Sequence, residues 1–201
     1  MIELVIATRN QHKTREIQHI LGAEFRVRDL DAHPQLSEIR ESGTSFEENA
    51  KLKALAASKH LPTLVIADDS GLEVDALGGA PGIYSARYAG SNATDRDKID
   101  KLLRELARVR AREDERRARF RCVVALARNG NVLGTFEGHV EGRIATEERG
   151  EFGFGYDPIF IPEGFEQTFG ELPTEVKNAI SHRAKAIRAL ADRLQRCESR
   201  D

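Results

Sequence analysis

The apolar positions of the chain alternate between short runs and helical stripes, a pattern typical of α/β proteins. Short runs rich in β-branched residues predict strands at 3–7, 25–27, 64–67, 120–127 and 132–136, with a further strand at 140–144. The loop at 128–131 carries an Asn-Gly turn signal, which predicts a β-hairpin between the strands at 120–127 and 132–136. Apolar residues spaced three and four apart predict helices that begin after residues 13, 45, 94 and 181. No linker, repeat or low-complexity tract divides the sequence, so we expect residues 1–201 to form a single domain.

A polar turn follows the first predicted strand and leads into the first helix. Its residues are Thr8, Arg9, Asn10, Gln11, His12 and Lys13. Backbone N–H groups at a helix N-terminus attract phosphate, and Asn10 and Lys13 suit the same ligand. An ordinary capped turn would have the same composition, so both interpretations stay open from this segment alone.

Two adjacent carboxylates, Asp68 and Asp69, close the apolar run at 64–67. Ligands of open α/β sheets bind beyond the carboxyl ends of strands, which makes this pair a candidate for chemistry. Upstream, Ser45 and Glu48 fit a capping box, which explains them without any function. Capping explains neither Asn49, one turn into the helix, nor Glu41 in the loop before it. Glu41 could face the paired acids as a metal ligand. The glycine-rich stretch at 71–90 that follows the acids predicts a functional loop, without indicating which function.

Aromatic residues alternate with glycines in the segment Gly150-Glu151-Phe152-Gly153-Phe154-Gly155-Tyr156-Asp157. Such a surface can stack on a nucleobase, and the same pattern also fits a tight turn entering the core. Further along, Lys177 and the pair His182-Arg183 bring positive charge close to a helix start, where anions bind well.

Composition and net charge indicate which kinds of partner the protein can bind. A net charge of −2 and a pI near 6.3 argue against a protein that grips nucleic acid with its whole surface. The arginine-rich segment 104–121 is interrupted by acids, which fits a solvated helix end, with a polynucleotide-binding patch as the alternative. The two cysteines lack metal-ligand spacing, and no apolar run reaches the ~20 residues that span a bilayer. We therefore expect a soluble cytoplasmic protein that binds neither nucleic acid nor membrane.

The candidate carboxylates, the lysine and arginine side chains and the aromatic-glycine segment together suit a nucleoside triphosphate bound with Mg²⁺. Magnesium prefers carboxylate oxygens together with substrate phosphates, and lysine or arginine neutralises the remaining phosphate charge. A carboxylate close to a metal-polarised water can also remove its proton, which permits hydrolysis.

The sequence resembles the inosine/xanthosine triphosphate pyrophosphatase family over nearly its whole length. The matching blocks are 8–13, 42–50, 67–72, 78–90, 152–160 and 181–184. The resemblance implies a single domain with a long, twisted mixed sheet flanked by helices, in two lobes with the active cleft between them. It also implies a homodimer that requires Mg²⁺ and hydrolyses ITP, dITP and XTP to the monophosphate and pyrophosphate, keeping these nucleotides out of DNA and RNA.

The resemblance further implies a role for each matching residue. Asp69 would be the proton acceptor and a metal ligand, with Glu41 and Asp68 as the other candidate ligands. Substrate would be bound by Thr8, Arg9, Asn10, Gln11, His12, Lys13, Ser70, Phe154, Gly155, Tyr156, Asp157, Lys177, His182 and Arg183. Among these, His182 and Arg183 would recognise the base edge, since donors favour the 6-oxygen of hypoxanthine and xanthine over the 6-amino group of adenine.

Two positions depart from the family pattern. Many relatives have glycine where Arg9 stands, so Arg9 either loosens the phosphate turn or projects outward. Many also have a second acid where Arg40 stands, which leaves Glu41 as the substitute metal ligand. A nucleotide-binding sensor without turnover and a pyrophosphatase for other modified-base triphosphates remain as alternative functions.

Overall fold

The computed structural model describes residues 1–37, 39 and 41–198, without the side chains of residues 197 and 198. Arg40 and the side chain of Cys197 therefore lie outside the described part of the chain.

Strands and helices alternate through the first half of the chain. The strands are β1 (Ile2–Ile6), β2 (Phe25–Arg28), β3 (Leu64–Val74), β4 (Arg117–Arg128), β5 (Asn131–Ile144) and β6 (Phe160–Pro162). The helices are α1 (Gln11–Leu21), α2 (Phe46–Ser58), α3 (Asp95–Arg108), α4 (Thr174–Ile180) and α5 (His182–Glu198). The strands form one sheet in the order β2-β1-β3-β4-β5-β6. Strand β1 pairs in parallel with β2 and β3, whereas β5 and β6 are antiparallel, so the sheet is mixed, as the family resemblance implies.

The chain divides into two compact units, and β3, β4 and β5 each contribute residues to both. The first unit comprises residues 1–69, 122–138 and 182–201. Its core packs the apolar faces of α1 and α5 with buried strand residues, which include Leu4, Ile66, Val124, Ile187 and Leu190. The amphipathic patterns of the two helices predict these buried faces.

The second unit comprises residues 70–121 and 139–181. Its core combines the stripe of α3, formed by Ile99, Leu102 and Leu106, with aromatic rings. Phe120 and Phe160 lie with ring centroids 4.6 Å apart, a distance at which aromatic pairs attract. A capping box begins α3, because Thr94 and Asp97 each accept from the other's backbone N–H.

The predicted hairpin between β4 and β5 is confirmed. Asn129 and Gly130 have φ values of 51° and 75°, the positive values that a two-residue type I′ turn requires. The predicted strand at 140–144 is the end of β5 and not a separate strand.

The prediction that Asp68 and Asp69 close their strand is wrong. Strand β3 continues to Val74 because Leu72 and Val74 extend the buried alternation beyond the acids into the core of the second unit. The two carboxylates therefore lie in the middle of a strand, where their side chains must point to opposite faces. Among the described residues, no helix is both long and apolar enough to cross a membrane.

Candidate functional site

Asp68 and Asp69 are buried neighbours with different surroundings. Only 3% of Asp68 and 5% of Asp69 is exposed. Because successive strand residues face opposite ways, Asp68 meets residues of α1 and α5, and Asp69 meets residues of α2. Burial of a carboxylate is costly unless cations or hydrogen bonds compensate it, and each acid has its own compensating set.

Asp68 is bound by two cations. The Lys13 ammonium lies 3.0 Å from its carboxylate, and the Arg183 guanidinium lies 3.2 Å from Oδ2. Arg183 also forms an ion pair with Glu16, so this buried guanidinium is held between two carboxylates. Burial opposes ionisation of Asp68, but the charges of Lys13, Arg183 and Lys53 outweigh it and hold its pKa well below the usual range. Asp68 therefore stays ionised and acts as an anchor for two predicted substrate-binding residues.

Asp69 has a different electrostatic environment. Its Oδ2 accepts from the Asn49 amide at 3.1 Å, and its Oδ1 lies 3.1 Å from the Lys53 ammonium. Lys53 also contacts Glu41 Oε1 and the Asp68 carbonyl oxygen, both at 2.7 Å. Burial raises the pKa of Asp69 to about 6, aided by repulsion from Glu41 and opposed by Lys53 and Lys13. A carboxylate with a pKa close to neutrality is suited to take up a proton during a reaction.

The sequence interpretation did not single out Lys53 or Glu16, and it noted Asn49 without assigning a role. Asn49 and Lys53 lie one turn apart on α2 and are buried beside Ala50, Ala54 and Ala57. A polar residue on an otherwise apolar helix face was the available signal, since a lysine there needs a buried partner. Although burial opposes its charge, attraction to Asp69, Asp68 and Glu41 raises the pKa of Lys53 above its ordinary value.

The polar turn at the start of α1 forms a cap. Asn10 Oδ1 accepts from the backbone N–H groups of His12 and Lys13, at 2.9 and 3.3 Å. Thr8 Oγ1 accepts from the Asn10 N–H at 3.1 Å. The capped-turn interpretation therefore describes this structure, and the phosphate-binding role of the turn stays a prediction.

The neighbouring side chains Arg9 and Gln11 face the segment that follows β2. Arg9 donates to the carbonyl oxygens of Leu30 and Leu36 at 2.9 and 2.7 Å. Gln11 donates to Asp29 and Asp31 at 2.9 and 2.6 Å. Arg9 thus ties the turn to this segment.

A second cluster lies within the second unit, where residues 153–157 form a tight turn. Asp157 Oδ2 accepts from the Phe154 N–H at 2.7 Å and from the Lys177 ammonium at 2.6 Å. Asp157 and Lys177 are almost fully buried, and the Lys177 nitrogen lies 4.7 Å from the Phe154 ring centroid. Tyr156 is also buried, while Phe154 and Gly155 are half-buried. Both interpretations of the aromatic-glycine segment therefore hold in part: it is a tight turn that enters the core and keeps a partly exposed ring.

The remaining predicted site residues are His182 and Ser70. His182 is buried as the first residue of α5, next to Arg183. Ser70 is half-buried on β3 immediately after Asp69. Their predicted contacts with substrate stay predictions.

The carboxylate oxygens around Lys53 suit a divalent cation that is bound together with substrate phosphates. Glu41 and Asp69 both contact the same lysine nitrogen, so their oxygens converge on one positive charge. Two carboxylates are what Mg²⁺ commonly takes from a protein when substrate phosphates supply further ligands. In the described part of the chain, no three His, Cys, Asp or Glu side chains come close enough to hold a metal alone.

Comparisons with known proteins identify the family of the chain. The model of the Ham1 family matches residues 4–193. A dITP/XTP pyrophosphatase of Bacillus subtilis is 48% identical over 97% of this chain and 98% of its own length. A Ham1 protein structure from Coxiella burnetii has a TM-score of 0.86 at 42% identity, covering 98% of this chain and all of that one. A Staphylococcus aureus Ham1 structure has a TM-score of 0.83 at 44% identity, covering 96% and 98%. The predicted mixed α/β fold and the family resemblance are thereby confirmed, and the chain belongs to the Ham1 family.

Proposed function

We propose that this protein hydrolyses non-standard purine nucleoside triphosphates, with ITP, dITP and XTP as substrates. Water is added across the bond between the α- and β-phosphates, which yields the monophosphate and pyrophosphate. The observation that carries the proposal is the buried Asp69, whose pKa is raised to about 6 and whose carboxylate meets Asn49, Lys53 and, through Lys53, Glu41. The names of relatives at 48% identity over nearly the full chain support the same activity.

Asp69 is the general base in this proposal. With a pKa of about 6 it is mostly ionised at neutral pH, yet basic enough to accept the proton of the attacking water. The Asn49 amide fixes one carboxylate oxygen, and the Lys53 ammonium restrains the other. Both contacts orient the base before substrate binds, which lowers the reorganisation needed in the transition state.

Glu41 and Asp69 are the residues that we assign to Mg²⁺. When bound, the ion would neutralise triphosphate charge and polarise the water that attacks the anhydride. Asp68 is a weaker candidate ligand, because its oxygens already bind Lys13 and Arg183.

The triphosphate is assigned to the turn from Thr8 to Lys13 and to Ser70. Lys13 is suited to this role because its ammonium is held by Asp68 and its side chain remains partly exposed. A phosphate that displaces part of this ion pair would find the lysine already ordered, which reduces the entropic cost of binding.

The nucleoside is assigned to Phe154, Gly155, Tyr156 and Asp157, with Lys177, His182 and Arg183. In this proposal Lys177 and Arg183 act partly through their buried ion pairs with Asp157 and Asp68, which fix the surrounding backbone. Buried polar groups discriminate strongly between bases, since a wrong base leaves donors or acceptors unpaired.

A pyrophosphate-release assay tests the proposal. Initial rates should be measured for ITP, dITP, XTP, GTP, ATP and CTP, with Mg²⁺ and with the metal removed by chelation. We expect rapid release from the first three substrates, slow release from the others and loss of activity without metal. Equal rates for ITP and ATP would contradict the purine selectivity, and slow release from ITP, dITP and XTP alike would favour a pyrophosphatase for other modified-base triphosphates.

The remaining alternatives are tested separately. A sensor without turnover predicts nucleotide binding with no pyrophosphate release. A polynucleotide-binding module built on residues 104–121 predicts salt-dependent affinity for DNA or RNA. Against it, Arg119 and Arg121 in this segment pair with Glu141 and Glu73. We also propose that the protein acts as a cytoplasmic homodimer, and sedimentation at micromolar concentration tests the dimer.

A further inference from the structure

The turn at residues 153–157 is held from outside by a carboxylate that the proposed site does not include. The Gly155 N–H donates to Asp95 Oδ2 at 2.7 Å, across a sequence separation of 60 residues. Gly155 has a φ of 64°, a left-handed conformation that favours glycine, and open space surrounds the place of a Cβ atom. The glycine therefore allows the left-handed conformation within the turn, and Asp95 binds the amide of this residue.

Tyr156 provides a second anchor for the turn. Its hydroxyl donates to the Ser85 carbonyl oxygen at 3.0 Å. The Ser85 hydroxyl accepts from the Leu72 N–H at 2.9 Å and donates to the Gly82 carbonyl at 2.6 Å. Ser85 lies in the glycine-rich stretch at 71–90 and joins the turn to β3. The sequence did not indicate a role for this stretch.

Asp95 is not needed to begin helix α3. Thr94 and Asp97 complete the capping box at this helix start, with contacts of 2.6 to 3.2 Å. Asp95 is the first residue of the helix, its side chain is 49% exposed, and it pairs with Lys98. One carboxylate oxygen is thus directed to Gly155 while the helix start is satisfied by other residues.

We propose that Asp95 is a positioning residue that fixes the nucleoside-binding turn through the Gly155 amide. This inference rests on the proposed function, in which the turn binds the nucleoside. A hydrogen bond from an N–H to a carboxylate is stronger than one between neutral groups, so a single such bond can hold the left-handed residue. Asp95 acts on substrate through the backbone of Gly155, and therefore affects binding of the nucleoside more than the proton transfer at Asp69.

Three variants separate this role from helix stability and from surface charge. Asp95→Ala removes the bond to Gly155 and the pair with Lys98. Asp95→Asn loses the charge, and with it the ion pair, but keeps an oxygen that accepts from Gly155. Asp97→Ala is the matched control, because it removes a carboxylate from the same helix turn and breaks the cap without touching residues 153–157.

Kinetics with ITP provide the first readout. We expect Asp95→Ala to raise KM by at least about tenfold with little change in kcat, as the loss of one charge-assisted hydrogen bond predicts. Asp95→Asn should raise KM by about threefold, because it keeps only a neutral hydrogen bond to Gly155, and Asp97→Ala should stay within about twofold of the wild type, because the bond to Gly155 is intact. Equal KM values for Asp95→Ala and Asp97→Ala, or a lower kcat at unchanged KM, would overturn the proposal.

Hydrogen exchange of the Gly155 amide provides the second readout and does not depend on activity. Exchange should accelerate in Asp95→Ala and stay close to that of the wild type in Asp97→Ala. Unchanged Gly155 exchange in Asp95→Ala would overturn the positioning role. If the wild type released no pyrophosphate from ITP, the proposed function would fail, and the exchange comparison would still decide whether Asp95 holds the turn.

Discussion

Replacing Lys177 by methionine removes the cation from the buried ion pair with Asp157. The lysine nitrogen lies 2.6 Å from Asp157 Oδ2, and 4% and 3% of the two side chains are exposed. Removing one partner leaves the other charge buried without its compensation, which is far costlier than replacing both partners. We therefore expect Lys177→Met to destabilise the protein strongly.

The expected loss in the free energy of unfolding depends on the interactions that Asp157 keeps in this variant. Breaking a buried ion pair typically costs about 3–5 kcal/mol. Asp157 keeps the hydrogen bond from the Phe154 N–H, and it can take up a proton, so the low end, about 3 kcal/mol, applies. With a denaturant slope of about 2 kcal/mol per molar urea, the unfolding midpoint should fall by roughly 1.5 M.

Urea unfolding of a double-mutant cycle measures this coupling. The cycle combines Lys177→Met with Asp157→Asn, and the double variant should be more stable than the sum of the single losses predicts. Lys51→Met is the control, because Lys51 pairs with Glu47 on the exposed face of α2, where a pair contributes at most about 1 kcal/mol. A Lys177→Met variant within about 1 kcal/mol of the wild type, or a cycle without coupling, would refute the reasoning.

Two further substitutions test the surroundings of Asp69 and of Asp157. Lys53→Met should lower kcat for ITP by about a hundredfold, because Asp69 loses the cation that orients it, and a kcat within twofold of the wild type would contradict this role. Gly153→Ala places a Cβ 2.1 Å from Asp157 Oδ2 at a φ of 76°, whereas Gly164→Ala meets nothing within 4 Å at a similar φ of 85°. In urea unfolding, Gly164→Ala should cost only the backbone strain of about 1–2 kcal/mol and Gly153→Ala clearly more, so equal losses would show that the turn can relax.

The periodicity of the chain predicted most of the fold. Apolar spacing located α1, α2, α3 and α5, and the Asn-Gly pair located the hairpin between β4 and β5, because these signals depend on residues close in sequence. Helix α4 was not predicted. The end of β3 was missed, since two aspartates in sequence indicate the end of a buried strand. Only the packing of Leu72 and Val74 in the second unit shows why the strand continues.

The sequence predicts the acids of the candidate site better than it predicts the residues that pair with them. Asp68 and Asp69 stand out in the sequence, but the sequence does not state which cation each acid meets. Lys53 was missed because a lysine on a helix is normally solvated, and its burial depends on the alanine-rich face of α2. Glu16 was missed for a similar reason, since its partner Arg183 lies 167 residues away.

The most direct test of the proposed activity compares Asp69→Asn with the wild type on ITP. Calorimetry measures nucleotide affinity, and pyrophosphate release measures turnover under the same conditions. We predict that Asp69→Asn keeps affinity for ITP within about fivefold and loses at least about a hundredfold in kcat, because asparagine cannot accept the proton of water. Pyrophosphate release by Asp69→Asn at the wild-type rate would contradict the role of Asp69 as the base.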